Sequence, residues 1–140
     1  MGAVVQMGSI EKQPSRRRIL IVEDDGVSRQ ALNRLLDKNG YEPFTVATGG
    51  QALSFLNTQT VDLILMDVML PDIDGLAVAT AIRDLERQKN IRRVPIVTVT
   101  ALALEVQEQF THITDGYIRK PFVSDEVLSV VQRLTPTTKA

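Results

Sequence analysis

Asp67 closes the run Val61-Asp62-Leu63-Ile64-Leu65-Met66-Asp67, and no other feature narrows the fold of this chain as much. A short apolar run of this kind is what a strand buried on both faces carries. Glu23-Asp24 closes a second run, Ile19-Leu20-Ile21-Val22. A third candidate strand ends at Thr100, and a fourth leads to Lys120-Pro121. Four strand exits, each with one chemically useful group, point to a single site at the carboxyl edge of a parallel sheet. Open α/β sheets bind their ligands there.

The segments between these runs read as helices. Ala31, Leu32, Leu35 and Leu36 recur at helical spacing within Val27 to Lys38, and Asn39-Gly40 ends that helix because Gly adopts the left-handed cap readily. Asp25 is expected to serve this helix as an acid at its positive end. Glu42–Ala47 is a strand in which Pro43 removes a hydrogen-bond donor, which suits a sheet edge. Thr48 caps a short helix of about Gly50 to Leu56. After strand Asp62–Met66, Gly75 to Gln88 is helical, with Leu76, Ala79, Ile82 and Leu85 on one face. Ile96–Val99 is the fourth strand, and roughly Leu104 to Thr111 the fourth helix. Tyr117–Arg119 is a short fifth strand, and Ser124 caps a last helix through Leu134, with Val127, Leu128 and Val131 facing inward.

Five strand–helix units require crossover connections, hence a parallel sheet covered by helices on both faces. The expected fold is α/β: a flavodoxin-like, doubly wound, five-stranded parallel sheet of order 2-1-3-4-5. In that order the first and third strands are neighbours, about 4.8 Å apart. Glu23, Asp24 and Asp67 then share one place.

With 140 residues, 44% of them hydrophobic, the chain is long enough for one domain with a real core. Residues 1–17 read as a flexible N-terminal extension, 18–134 as the folded domain and 135–140 as a frayed tail. No cysteine is present, which removes disulfides and thiolate metal sites and fits a reducing, cytoplasmic setting. A net charge of −1 offers no strong field for nucleic acid, and the apolar runs are too short to insert in a membrane.

Carboxylates that converge need neutralising. At an effective dielectric of about 20, two of them roughly 5 Å apart repel by about 3 kcal/mol. Hard oxygen donors without His or Cys nearby favour Mg²⁺ or Mn²⁺ over zinc. Lys120 adds a positive charge and Thr100 a hydroxyl. Together these groups form a receptor for one phosphoryl group, with Asp67 as the nucleophile. Each residue also has a plainer reading. A single Asp after a strand is commonly a turn or cap residue, and Glu23-Asp24-Asp25 could merely open a helix. It is their joint placement at successive strand exits that favours the site.

The stretches Ile19 to Asp25, Asp67-Val68-Met69-Leu70-Pro71-Asp72-Ile73-Asp74-Gly75, Thr98 to Ala101 and Tyr117-Ile118-Arg119-Lys120-Pro121-Phe122 carry a resemblance. Over about residues 18 to 134 the chain resembles the response-regulator receiver domains of two-component signalling. The resemblance implies that Glu23, Asp24 and the backbone carbonyl of Met69 join Asp67 around a divalent ion. It further implies that Asp67 accepts the phosphoryl group and that Thr100 and Lys120 contact it. Tyr117 matches the aromatic switch position. The implied donor is a histidine kinase or histidine phosphotransfer protein. The implied output is a protein target met by the face of the fourth helix, fifth strand and last helix. Such a domain is no enzyme beyond its own phosphorylation and dephosphorylation.

The segment from Thr100 to Lys120 departs from the family: it is shorter, and Thr111-His112-Ile113-Thr114-Asp115-Gly116 replaces the customary Gly-Ala. This puts the output face in doubt, not the acidic pocket. His112 reads as a solvent-facing residue. The apolar Met69 and Leu102 beside the pocket predict slow self-dephosphorylation. The leading expectation is a stand-alone receiver, since no output module follows Leu134; a receiver cut from a hybrid kinase or longer regulator is the alternative. Dimerisation through the last two helices is left open. An aspartyl-phosphate phosphohydrolase would carry a second Asp at the position of Met69. An FMN binder would want a Ser/Thr/Gly phosphate loop after the first strand, and a pseudo-receiver would not keep the whole acidic set.

Overall fold

The computed structural model describes residues 16–101, 108 and 112–136. The strands are β1 (Arg18–Val22), β2 (Glu42–Val46), β3 (Leu63–Met66), β4 (Ile96–Thr100) and β5 (Gly116–Arg119). The helices among the described residues are α1 (Gly26–Lys38), α2 (Gly49–Thr58), α3 (Gly75–Lys89) and α4 (Ser124–Leu134). All strand pairs are parallel, in the order β2-β1-β3-β4-β5. The expected flavodoxin-like topology is the observed one.

Alternation along β1 explains the layering. Ile19 and Ile21 point into one core, with Leu32 and Leu36 of α1 and Val127 and Val131 of α4. Leu20 and Val22 point into the other, with Ala52 of α2 and Val78, Ala79 and Ile82 of α3. Strands that bury both pleats must be apolar at every position, which is why β1, β3 and β4 read as unbroken runs. Edge strand β5 instead alternates, with Ile118 buried while Tyr117 and Arg119 are exposed. Strand β2, with Pro43, is the other edge.

The caps follow local chemistry. The Asp25 carboxylate accepts from the Ser28 amide at 2.9 Å, and Thr48 Oγ1 from the Gln51 amide at 3.1 Å. Gly40 has φ of 90°, where an L side chain is strained.

Two expectations need correcting. Ser124 is the first helical residue of α4, not its cap; Val123 holds the cap position with no side-chain hydrogen bond. Asp125 and Glu126 supply negative charge to that first turn instead. The inward face of α3 is rotated from the expected one. Val78, Ala79, Ile82, Arg83 and Glu86 are buried, while Leu76 and Leu85 are only half-buried. Arg83 can be inside because it is fully partnered: it donates to Glu86, the Val94 and Ile113 carbonyls and Asp115. Just past α4, Thr135 is buried, and both its amide and hydroxyl bond the Val131 carbonyl. Just before β1, Arg16 donates to Asp37 and the Tyr41 carbonyl and Arg17 to the Pro136 carbonyl. Of the expected fourth helix only residue 108 is described, so that helix, and Leu102 beside the pocket, lie outside the described residues.

Candidate functional site

Strand register brings the acids together. Val22 pairs with Met66, so the next residues, Glu23 and Asp67, leave adjacent strands side by side. The Asp67 amide donates to the Val22 carbonyl at 3.0 Å, and the Glu23 amide to the Val46 carbonyl at 3.1 Å. One carboxylate oxygen from each of Glu23, Asp24 and Asp67 lies within 4.8 Å of the others. Glu23 and Asp67 are buried and Asp24 is exposed, so the cluster has a dry floor and an open rim.

Lys120 enters from the end of β5. Its Nζ lies 2.8 Å from Asp67 Oδ2 and 2.7 Å from Glu23 Oε1. The contact to Asp67 is a directed hydrogen bond. The one to Glu23 is an ion pair by distance, yet the buried Oε1 makes no well-directed hydrogen bond. At 2.7 Å the two charges are paired, and Oε1 keeps acceptor capacity to spare. Burial pushes the Glu23 carboxyl above its ordinary 4.5, only partly offset by the Lys120 ammonium beside it. Burial alone would lower Lys120, but its hydrogen bond to Asp67 and its pairing with the Glu23 carboxylate outweigh it and hold the ammonium above its ordinary 10.5.

The other groups surround this trio. Thr100, at the end of β4, is buried, and its carbonyl accepts from the Lys120 amide at 3.0 Å. The Lys120–Pro121 peptide is cis. Met69 is exposed, and its amide donates to Asp67 Oδ1 at 2.9 Å. This bond orients the carboxylate with Oδ2 toward Lys120. Tyr117 sits on edge strand β5, paired in register with Thr98 and 44% exposed.

Two supports had no assigned role in the sequence reading. Arg29 of α1 donates to the Glu23 and Asp24 carbonyls, at 3.0 and 3.2 Å, bracing the acidic loop. A basic residue one turn into a helix that follows an acidic loop was the available signal. Asp72 accepts from the Gly49 and Gly50 amides, and nothing in its local sequence marks partners so far along the chain.

The donor set fits a small divalent cation. It is all oxygen, it carries three negative side chains against one ammonium, and Glu23 Oε1 is a buried acceptor with capacity to spare.

The comparisons agree with this geometry. A family model described as the response regulator receiver domain matches residues 19–132. The chain belongs to the response-regulator receiver domain family. Among curated relatives, the polar-differentiation response regulator DivK of Brucella ovis is 34% identical over 109 residues, covering 75% of this chain and 85% of that protein. Among solved structures, the receiver domain of the sensor histidine kinase PA1611 of Pseudomonas aeruginosa, which holds a magnesium ion in its active-site cleft, is 35% identical with a TM-score of 0.75. It covers 86% of this chain and 98% of that one. The chemotaxis response regulator CheY4 of Vibrio cholerae is 28% identical with a TM-score of 0.78, covering 86% and 99%.

Receiver domains are signalling domains rather than conventional enzymes; they bind Mg²⁺ at an acidic pocket and meet histidine kinases or phosphotransfer proteins and downstream targets. No helix among the described residues of this receiver is long and apolar enough to cross a membrane.

Proposed function

We propose that this receiver domain takes a phosphoryl group from a phosphohistidine donor onto Asp67 and uses the charge so gained to switch a protein-interaction face. The observation that carries the reading is Asp67 Oδ2 held 2.8 Å from the Lys120 ammonium beside Glu23 and Asp24. An Asp67 oxygen forms the new O–P bond while the donor's N–P bond breaks, and its electron pair returns to the imidazole. Glu23, Asp24, Asp67 and the Met69 carbonyl would hold Mg²⁺ or Mn²⁺, and a bound ion there neutralises phosphoryl charge. Lys120 supplies the fixed positive charge for the transferred oxygens. The Thr100 hydroxyl, at the end of β4, would meet one of them.

The donor would be a histidine kinase or a histidine phosphotransfer protein. An apolar shelf of Val27, Ala31, Pro121 and Phe122 adjoins Lys120 and offers that protein a dry seat. Val27 and Val123 are unusually exposed for valines. The output reading rests on Tyr117: strong new acceptor oxygens draw Thr100, and the ring moves in from its exposed position on β5. Kinship with receivers of sensor histidine kinases supports a setting within a hybrid kinase as a second reading.

Intact mass after acetyl phosphate with Mg²⁺ tests the core of this proposal. The native chain gains one phosphoryl group and Asp67→Asn gains none. Equal labelling of both would end the assignment to Asp67.

A further inference from the structure

The loop between β3 and α3 carries Met69, whose amide orients Asp67, and is fastened at its base by the Gly75 amide to the Val68 carbonyl at 2.9 Å. Leu70 and Ile73 pack half-buried against the core, but Met69 faces solvent. Asp74 ties the end of this loop to α3 by accepting from the Leu76 and Val78 amides, and Asp72 ties loop 69–74 to α2. Its Oδ1 takes the Gly49 amide and its Oδ2 the Gly50 amide, both at 2.9 Å. Both carboxylate oxygens are used, on the first two amides of α2, where the helix dipole strengthens the contact.

We propose that Asp72 is a positioning residue for phosphorylation of Asp67. By clamping the first turn of α2 it holds loop 69–74, and with it the Met69 amide that aims the Asp67 carboxylate at Lys120. The inference rests on the phosphoacceptor reading of Asp67. Thr48 satisfies only the Gln51 amide of the first turn, so Asp72 also caps α2; a cap that did nothing more would leave the Met69 amide and the rate at Asp67 unchanged when it is removed. The two amide bonds hold the Asp72 carboxyl below its ordinary 3.8, so the clamp is ionised at neutral pH. Close approach is built in: a Cβ on Gly49 would stand 2.6 Å from Val78 Cγ2 and 3.5 Å from Asp72 Oδ1. Glycine at this place lets the loop and α3 reach the start of α2.

The test compares the native 140-residue chain with Asp72→Asn and Asp72→Ala. Two quantities are read: the initial rate of phosphorylation by acetyl phosphate with Mg²⁺, by intact mass, and hydrogen exchange at the Met69 amide without phosphodonor. The alanine variant is expected to lose about tenfold or more in maximal rate, as small misplacements of reacting groups do. The asparagine variant, with one acceptor oxygen left, should fall between. Met69 exchange should rise in the same order. A native rate in Asp72→Ala would overturn the proposal. So would a slowed rate with Met69 protection unchanged. Should Asp72→Ala fail to fold, the isosteric Asp72→Asn carries the same two readouts. If the native chain itself gains no phosphoryl group, the reading of Asp67 falls. The clamp is then judged on Met69 exchange alone, where increased exchange supports it and unchanged protection overturns it.

Discussion

Lys120 Nζ stands 2.8 Å from Asp67 Oδ2, a contact between the exits of two strands that are not neighbours in the sheet. Strand β4 lies between them, ending in the buried Thr100. Lys120 thus spans the site and is the counter-charge for two buried carboxylates at once. Replacing it with Met leaves Glu23 and Asp67 facing each other without a cation. The variant should be less stable by roughly 1–3 kcal/mol, the cost of leaving buried polar partners unmet. Added Mg²⁺ should recover part of that loss. Urea denaturation with and without Mg²⁺ measures both, and a variant as stable as the native chain in the absence of metal would contradict this account.

The perturbed groups give stability a defined pH profile. Glu23 has its folded pKa raised, so above 4.5 the unfolded chain gives up a proton that the folded chain retains. Stability therefore falls as pH rises from 4.5 through the raised Glu23 value, and Glu23→Gln should lack that fall. Lys120 is raised too, so its contribution is full below 10.5 and disappears as pH climbs through the folded value. Asp25 and Asp72 are lowered, so their contribution is present above 3.8 and is lost as pH falls through their depressed values. Urea midpoints across pH for the native chain and Glu23→Gln check the profile. A native curve that climbs from 4.5 toward neutrality, with Glu23→Gln parallel to it, would refute the Glu23 assignment.

Arg83 and Glu86 show where sequence reasoning stopped. Charged residues on a helix that also carries an apolar face are ordinarily solvated, and their spacing alone cannot say otherwise. Their burial depends on Asp115 and the Ile113 carbonyl, far along the chain. The apolar runs of β1, β3 and β4, the Asp25 cap and the convergence of Glu23, Asp24 and Asp67 were legible because each depends on local pattern or strand order. Ser124 was misread because a helix entry after Val123 used first-turn charge in place of a side-chain cap. Asp72 was invisible for the same reason as Arg83: its partners are set by tertiary approach.

Removing the Arg83 guanidinium should therefore be costly. Arg83→Met leaves Glu86 buried without its cation and leaves the Ile113 carbonyl without two donors. Breaking one partner of a buried pair costs roughly 3–5 kcal/mol. Adding Glu86→Leu should return part of this, since the orphaned charge goes with it, although the Val94 amide then loses its acceptor. Chemical denaturation of the single and double variants decides the matter. A double variant no better than the single would show that the charge is not what suffers.

Two glycines separate stability from site geometry. At Gly75 a Cβ would fall 2.4 Å from Val68 Cα and 3.0 Å from the Val68 carbonyl oxygen, both backbone atoms that cannot swing aside. Gly75→Ala must therefore push α3 away from the residue that follows Asp67, at a cost of about 1–3 kcal/mol for overpacking. At Gly40 a Cβ would meet nothing within 4 Å, but φ is 90°, so Gly40→Ala strains the backbone by about 1–2 kcal/mol instead. Both variants should unfold at lower urea. Gly75→Ala alone should also slow phosphorylation by acetyl phosphate, because Gly40 lies at the opposite, amino-terminal end of the sheet, next to the start of β2. Equal rates for the two variants would mean that the start of α3 does not govern how Asp67 is presented.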